Sequence, residues 1–371
     1  MKKTTMRRAI KVAEFATASK KRIVNSLILD YRAAVNVYIK LLWNEPGIGL
    51  DKKTLNKLPD LHLSQRYKSQ ALKQSLEMIF STKKSAKTLG RPCGRPVFRG
   101  NPVLDAKFVS VEDGEKSFDL VVKLSTLRKG KRICIPARRN AVMNKWLSEP
   151  ESHLVQGCEL RSNKLILWVE MPSRGTKVAS VSDADPDRVI GIDMGMDKLI
   201  SDSRGNFYGL ESGSIMKPLQ SKKKKKRKTV ARAALRARRD SYFNQVVDSL
   251  PWGTFDVLVH EYLRWIKHGK SKKRSRNFRR CASAWTVNRV LARVDQRCEE
   301  NRVLLVTVPP AYTSKTCPEC GCKADGNRNA GTFHCVRCGH SADADFVGAW
   351  NIRHLGLGGS LESPHTMKDI V

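Results

Sequence analysis

Two closely spaced pairs of cysteines near the end of the sequence place the strongest constraint on this chain. They form two Cys-x-x-Cys pairs with fourteen residues between them: Cys317, Cys320, Cys335 and Cys338. Each pair can present two thiolates to one Zn²⁺, and four thiolates complete a tetrahedral site with no open position for water. We therefore predict one structural Zn²⁺ in a small zinc ribbon. The alternative is four unligated core cysteines.

The residues around these pairs support a metal site. Gly321 and Gly339 follow the two pairs and supply the backbone freedom that tight turns need. Cys322 and His340 lie close enough in sequence to compete as ligands, and we predict that Cys322 is a bystander. Five of the ten cysteines fall within 22 residues of a 371-residue chain, which is typical of metal ligands rather than of a disulfide scaffold.

The charge of the chain points to a polyanionic partner. It carries 70 Lys and Arg against 35 Asp and Glu, a formal net charge of +35. The hydrophobic share of 40% predicts folded domains rather than a disordered basic tail. The sequence has no apolar run of about 18 residues and no apolar core in its basic N-terminal segment, so we expect no membrane span, no signal peptide and a cytoplasmic, nucleoid-associated protein.

Two basic stretches are candidates for phosphate contact. Residues 217–239 hold twelve Lys and Arg and no acid, and residues 264–280 hold nine more. The second half of the first stretch contains Ala and Leu, which favour a basic helix. A solvated charge run or a localisation signal is the alternative. Apolar spacing also predicts helices over residues 19–43 and 64–88, between strand-like segments.

Carboxylates stand at the ends of three apolar segments. Asp193 ends the strand-like segment VIGID, Glu261 ends VLVHE, and Asp343 and Asp345 open a predicted helix. Individually, each can be a turn residue or a group that favours the helix dipole. Together, in a chain this basic, three carboxylates from separate elements can hold two Mg²⁺ ions for phosphodiester hydrolysis.

The order of these motifs resembles the TnpB family of transposon-encoded RNA-guided DNA endonucleases. The motifs are GIDMG, VHEYL, YTSKTCPECG, FHCVRCG and ADADFVGAWNI. Compact type V CRISPR effectors share this order. The resemblance implies a catalytic trio of Asp193, Glu261 and Asp345 with two Mg²⁺ ions, a bound guide RNA and a target DNA. The family usually has Asn at the position of Val347, and this departure affects fine positioning near Asp345.

The resemblance also implies a multidomain α/β architecture. An RNase H-like (RuvC) nuclease domain carries an inserted zinc ribbon and follows a β-rich wedge domain with a helical recognition insertion at about 18–90. The expected ranges are 1–173 for the wedge domain, 188–310 and 342–357 for the nuclease, 311–341 for the ribbon and 358–371 for a flexible tail. A polar stretch over residues 174–187 supports the first boundary.

Three alternative functions remain open at this point. The chain can be a compact type V CRISPR effector of the same build, or an RNA-guided repressor that binds DNA without cleaving it. The third alternative is a DDE-type transposase of RNase H fold. The three retained acids favour cleavage over repression, and the ribbon position just before Asp345 favours the TnpB family over a transposase.

Overall fold

A computed structural model describes residues 5–45, 63–90, 92–114, 117–126, 130–220, 229–263 and 285–361. The chain divides into two compact units, Met1–Ser173 and Arg174–Val371. The basic stretch at 264–280, residues 221–228 of the other basic stretch and most of the expected tail lie outside the described residues. Within the described ranges, no helix is both long and apolar enough to cross a membrane.

The N-terminal unit combines strands with a pair of long helices. Its described elements are β1 (Thr5–Val12), α1 (Ala18–Leu42), α2 (Gln65–Leu89), β2 (Val103–Asp105), β3 (Val109–Asp113), β4 (Leu120–Ser125), β5 (Arg132–Ala137), α3 (Ala141–Leu147), β6 (His153–Leu154), β7 (Gly157–Arg161) and β8 (Lys164–Pro172). Strands order as β1-β8-β7-β2, with β6 also paired to β8, and β3, β4 and β5 form a separate antiparallel sheet. The two long helices thus lie in sequence between strands, where apolar spacing predicted them.

The ends of α2 follow from local chemistry. Ser64 is the N-cap residue, and Gly90 closes the helix with a φ of 57° while its N–H bonds to carbonyls of the last turn. Helices α1 and α2 pack against each other, and the Tyr31 hydroxyl of α1 donates to the Gln70 carbonyl of α2 at 3.3 Å. Buried apolar faces of both helices and of the strands form one hydrophobic core in this unit.

The C-terminal unit is built on a mixed sheet. Its described elements are β9 (Val189–Asp193), β10 (Ile200–Asp202), β11 (Phe207–Tyr208), α4 (Ser212–Gln220), α5 (Thr229–Asp248), β12 (Val257–Glu261), α6 (Val287–Asn301), β13 (Leu304–Val308), β14 (Arg328–Asn329), β15 (Thr332–His334), β16 (Ser341–Asp343) and α7 (Ala344–Gly356). The main sheet has the order β11-β10-β9-β12-β13. In it β9, β12 and β13 are parallel, and β10 is antiparallel to β9.

Helix α7 lies directly on β9, and a glycine permits this close approach. A Cβ atom added at Gly191 would lie 2.3 Å from the Ala349 carbonyl oxygen and 2.5 Å from the Arg353 nitrogen. The small sheet β14-β15-β16 precedes this helix, and Asp343 ends β16 and is the N-cap of α7. The start of α7 is therefore positioned by its packing on the main sheet and by its direct connection to the small sheet.

Candidate functional site

Two of the predicted acids lie side by side at one edge of the main sheet. Asp193 ends β9 and Glu261 ends β12, and these strands are parallel neighbours. The register pairs His260 with Ile192, so the next residues in both strands, Glu261 and Asp193, follow at the same edge. Because the carboxyl ends of parallel strands share an edge of the sheet, the fold brings together two residues that are distant in sequence.

The third predicted acid joins them from α7. Asp345 lies in the first turn of this helix. A Cβ atom added at Gly348, one turn further along, would lie 2.8 Å from Asp193 Oδ2, and one added at Gly195 would lie 4.0 Å from Asp345 Oδ2. The structure therefore places Asp193, Glu261 and Asp345 in one cluster.

Burial and neighbouring negative charges disfavour the ionised form of Asp193. Burial raises the pKa of Asp193 to about 7, and the nearby charges of Glu261 and Asp345 contribute in the same direction. Burial also raises the pKa of Glu261, while a hydrogen bond from Thr313 and the charge of Arg328 oppose that rise. A divalent cation would relieve this repulsion, and carboxylate oxygens are the ligands that Mg²⁺ prefers, so the chemistry of the donor groups suits such an ion.

Two cations reach the cluster that sequence reasoning did not identify. Arg328, which begins β14, donates to Asp345 Oδ1 through Nη2 at 2.8 Å. Lys198, in the loop after β9, lies 3.7 Å from Asp345 Oδ2 and also pairs with Asp343. No sequence pattern distinguishes these two residues from the other 68 Lys and Arg, since their relevance depends on the folded chain.

Two further residues have roles that the motifs did not reveal. The Thr313 hydroxyl donates to Glu261 Oε1, so it orients that carboxylate. Asp343 accepts the backbone N–H groups of Asp345 and Phe346 at 3.0 and 3.2 Å and thereby caps α7. Thr313 lies inside the YTSKTC motif, and this motif was the sequence feature that could have identified it as a functional residue. Asp343 therefore has a structural role as the cap of α7, whereas Asp345 lies near Asp193 and raises its pKa.

The four predicted cysteines form a second cluster. One ligand atom from each of Cys317, Cys320, Cys335 and Cys338 lies within 4.8 Å of the others. The Sγ atoms of Cys317 and Cys338 are 3.6 Å apart, and those of Cys320 and Cys335 are 3.5 Å apart. A tetrahedron with Zn–S bonds of about 2.3 Å has S–S edges of about 3.8 Å, so the arrangement fits Zn²⁺.

The two cysteine pairs repeat one turn. Gly321 and Gly339 have φ angles of 69° and 78°, and their N–H groups bond to the carbonyls of Cys317 and Cys335, both at 2.9 Å. Burial alone would raise the pKa of Cys335, but the N–H groups of Cys338 and Arg337 and neighbouring thiols lower it to about 6. Burial raises the pKa of Cys317 and of Cys320, although backbone N–H groups oppose that rise at both thiols. Cys322 is outside the group of four, as predicted.

The ribbon and the first turn of α7 share a hydrophobic core. Val347 is fully buried, and it belongs to one cluster with Ala344, Phe333 and two of the cysteines. Val347, the residue that differs from the family pattern, therefore packs in the ribbon core. Asn351, also buried in α7, donates to the Thr313 and Thr316 carbonyls at 2.7 and 2.9 Å. Packing and hydrogen bonds thus connect the ribbon to the helix that carries Asp345.

Comparisons with known proteins match this region. The family model described as Cas12f1-like, TNB domain matches residues 288–352. A TnpB-like protein of Methanocaldococcus jannaschii is 32% identical over 95 residues, 26% of this chain and 34% of the relative. A TnpB-like protein of Aquifex aeolicus is 29% identical over 116 residues, 29% of this chain and 37% of the relative. Over these segments the chain is similar to TnpB-like proteins.

The TnpB-like chain also resembles CRISPR effectors. The CRISPR-associated endodeoxyribonuclease Cas12f1 of Sulfoacidibacillus thermotolerans is 36% identical over 69 residues, 18% of this chain and 16% of the relative. All three matches cover well under two thirds of the relatives' lengths. The solved Cas12f1-sgRNA-target DNA complex gives a TM-score of 0.53 at 14% identity, covering 90% of this chain and 82% of that chain. This likeness confirms a mixed α/β fold.

Proposed function

We propose that this TnpB-like chain is a metal-dependent DNA endonuclease with a RuvC-type, RNase H-like active site. The observation that carries the proposal is the meeting of Asp193, Glu261 and Asp345 from β9, β12 and α7 at one edge of the mixed sheet. Three clustered carboxylates with a raised pKa at Asp193 are suited to divalent cations rather than to a structural ion pair.

Each residue near the cluster has a distinct part in this proposal. Asp193, Glu261 and Asp345 would hold the Mg²⁺ ions, which would supply an activated water and stabilise the leaving oxygen. Thr313 orients the Glu261 carboxylate. Arg328 opposes the rise in the pKa of both Asp193 and Glu261, so it favours their ionised forms. Its guanidinium also suits contact with a phosphate oxygen.

The proposed zinc ribbon has a structural part. Four thiolates leave no open coordination position, so Zn²⁺ at Cys317, Cys320, Cys335 and Cys338 would fold the ribbon. The folded ribbon delivers Arg328 to the carboxylates. It also packs against Val347 of α7 and thereby supports the position of Asp345.

We further propose that base pairing to a bound guide RNA selects the DNA. The net charge of +35 supports a large nucleic-acid partner, and the TnpB-like and Cas12f1 relatives support the guided class. In guided systems the protein grips the heteroduplex by its backbone and reads a short flanking motif. The N-terminal unit, which has α1 and α2 between its strands, is the candidate wedge and recognition domain. We propose a cytoplasmic location for the protein.

A cleavage assay tests the proposal. The expressed protein should copurify with one specific structured RNA, and it should cut matched DNA in Mg²⁺. Asp193→Ala, Glu261→Ala and Asp345→Ala should each abolish cleavage and retain RNA and DNA binding. The exposed acid Glu211 lies in the same unit, and Glu211→Gln is the matched control that should cut normally.

Each result has a clear consequence. Random cellular RNA in the purified protein would contradict guidance, and wild-type cleavage by any of the three alanine variants would contradict its role. Matched binding without cleavage by the unmodified protein would instead support a repressor. Sequencing the bound RNA separates a transposon-derived guide from a CRISPR repeat.

A further inference from the structure

Between β13 and the first cysteine pair, the chain turns at a residue with an unfavourable backbone conformation. Tyr312 has a φ of 65°, in the left-handed region that bulky side chains rarely adopt. Its carbonyl accepts hydrogen bonds from the N–H groups of Lys315 and Thr316, both at 3.0 Å, and from the Thr316 hydroxyl at 2.9 Å. Three donors on one carbonyl hold the turn in place, so the strained conformation persists.

The residues on either side of this turn are anchored in the protein. Thr313 and Thr316 are 2% and 0% exposed, and the Asn351 amide of α7 bonds to both of their carbonyls. The backbone at Tyr312 is therefore fixed relative to α7, the helix that also carries Asp345.

The side chain of Tyr312 projects from this anchored turn into solvent. Tyr312 is 57% exposed. The Lys323 ammonium lies 5.9 Å from the centre of its ring, within cation–π range. An exposed aromatic face stacks on nucleobases without regard to sequence, and a neighbouring ammonium contacts backbone phosphate. The strained backbone at Tyr312 therefore keeps the ring exposed, and the ring is not part of the hydrophobic core.

The turn lies immediately beside the carboxylates. Thr313, the residue after Tyr312, donates its hydroxyl to Glu261 Oε1. Consecutive Cα atoms are about 3.8 Å apart, so Tyr312 is one residue from a group that touches the acid cluster. A nucleotide stacked on this ring would be held one residue from the contact between Thr313 and Glu261.

We propose that Tyr312 is a positioning residue whose ring stacks on an unpaired base of the DNA strand that enters the carboxylate site, with Lys323 contacting an adjacent phosphate. This inference rests on the proposed nuclease function and adds a specific contact to it. The contact orients the strand; the three carboxylates remain the groups at the reacting atoms.

Two substitutions at one position separate the ring from the backbone. Tyr312→Gly removes the ring and relieves the strain, because Gly adopts positive φ freely. Tyr312→Phe keeps the ring. Both are made in guide-loaded protein carrying Asp193→Asn, which prevents cleavage during the measurement. The probe is a single-stranded DNA oligonucleotide with 2-aminopurine, whose fluorescence falls on stacking. Thermal unfolding and retained guide RNA are measured in parallel.

We expect Tyr312→Gly to bind the oligonucleotide about 5- to 150-fold more weakly, the effect of losing one base–aromatic stack, and to lose the quenching. Its thermal stability should equal or exceed that of the parent, and its guide RNA should be retained. Tyr312→Phe should bind and quench as the parent does. In an otherwise unmodified background, Tyr312→Gly should also slow cleavage of matched DNA, most strongly at low DNA concentration.

Parent-like affinity and quenching in Tyr312→Gly would overturn the inference. Loss of guide RNA would also overturn it, because the ring would then contact RNA. If the Gly variant does not fold, Tyr312→Leu replaces it, and equal affinities of the Leu and Phe variants would overturn the stacking role. If unmodified protein shows no Mg²⁺-dependent cleavage, the proposed function fails, whereas the fluorescence measurement still reports on stacking.

Discussion

Removal of the Arg328 guanidinium is the sharpest test of how the ribbon serves the acid cluster. Arg328→Met keeps much of the side-chain length and removes the charge-assisted hydrogen bond to Asp345, which is 2.8 Å long. Such bonds contribute about 1.5–3 kcal/mol, which corresponds to about a 10- to 150-fold change in rate if the bond acts in the transition state. We therefore expect Mg²⁺-dependent cleavage to fall within that range.

The same substitution should change the pH dependence of cleavage. The charge of Arg328 lowers the pKa of Asp193 and of Glu261, so its removal lets both values rise. Ionised acids are needed to hold Mg²⁺, and the acid limb of the pH–rate profile should move to higher pH. A loss of about 1.4 kcal/mol of attraction corresponds to a shift of about one unit.

The matched control is another cation of the same ribbon. Lys315 pairs with Asp325, and neither residue contacts the three acids in the described hydrogen bonds and ion pairs. Lys315→Met should therefore leave both the rate and the pH profile unchanged. Cleavage is measured with guide-loaded protein and excess matched DNA between pH 5.5 and 9. An Arg328→Met protein that retains its zinc and cuts with the wild-type rate and profile would refute the proposed role.

Three other perturbations have defined outcomes. Cys338→Ser should lose the one Zn²⁺ per chain and most cleavage yet keep its RNA, whereas Cys322→Ser should keep the metal; elemental analysis showing zinc in both would contradict the ligand set. Gly191→Ala places a Cβ 2.3 Å from a backbone oxygen, so urea unfolding should show a loss of about 1–3 kcal/mol. Asp193 has a pKa raised from 3.8 to about 7, so its protonation stabilises the fold below about pH 4 and this contribution is lost as pH rises through about 7. In Mg²⁺-free buffer, the Tm of wild type should therefore fall relative to that of Asp193→Asn between pH 5 and pH 8, and parallel Tm curves would contradict the raised pKa.

The parts of the candidate site that could be predicted from the sequence are those that depend on local patterns. Cys-x-x-Cys spacing depends on one short turn, so the four cysteines could be identified without knowledge of the rest of the fold. An acid at the end of an apolar run is also a local signal, and Asp193 and Glu261 end β9 and β12 as their sequences indicate. The roles of the three acids in catalysis remain predictions.

Long-range contacts explain what the sequence did not reveal. Arg328 and Asp345 are seventeen residues apart and meet because the strands of the ribbon fold back toward α7. Thr313 reaches Glu261 across 52 residues. Val347 packs with Phe333 in the ribbon core, and its effect on positioning near Asp345 stays a prediction.

The sequence by itself predicted the group of four cysteines and the approximate strand and helix ends, because these depend on spacing over a few residues. Only the tertiary structure decided which carboxylates share one site, since that depends on β9 and β12 being parallel neighbours and on α7 crossing at Gly191. It also decided the pKa of Asp193, because burial and neighbouring charge are properties of the packed chain. Likewise, only the folded chain brings Thr313, the neighbour of Tyr312, into contact with Glu261.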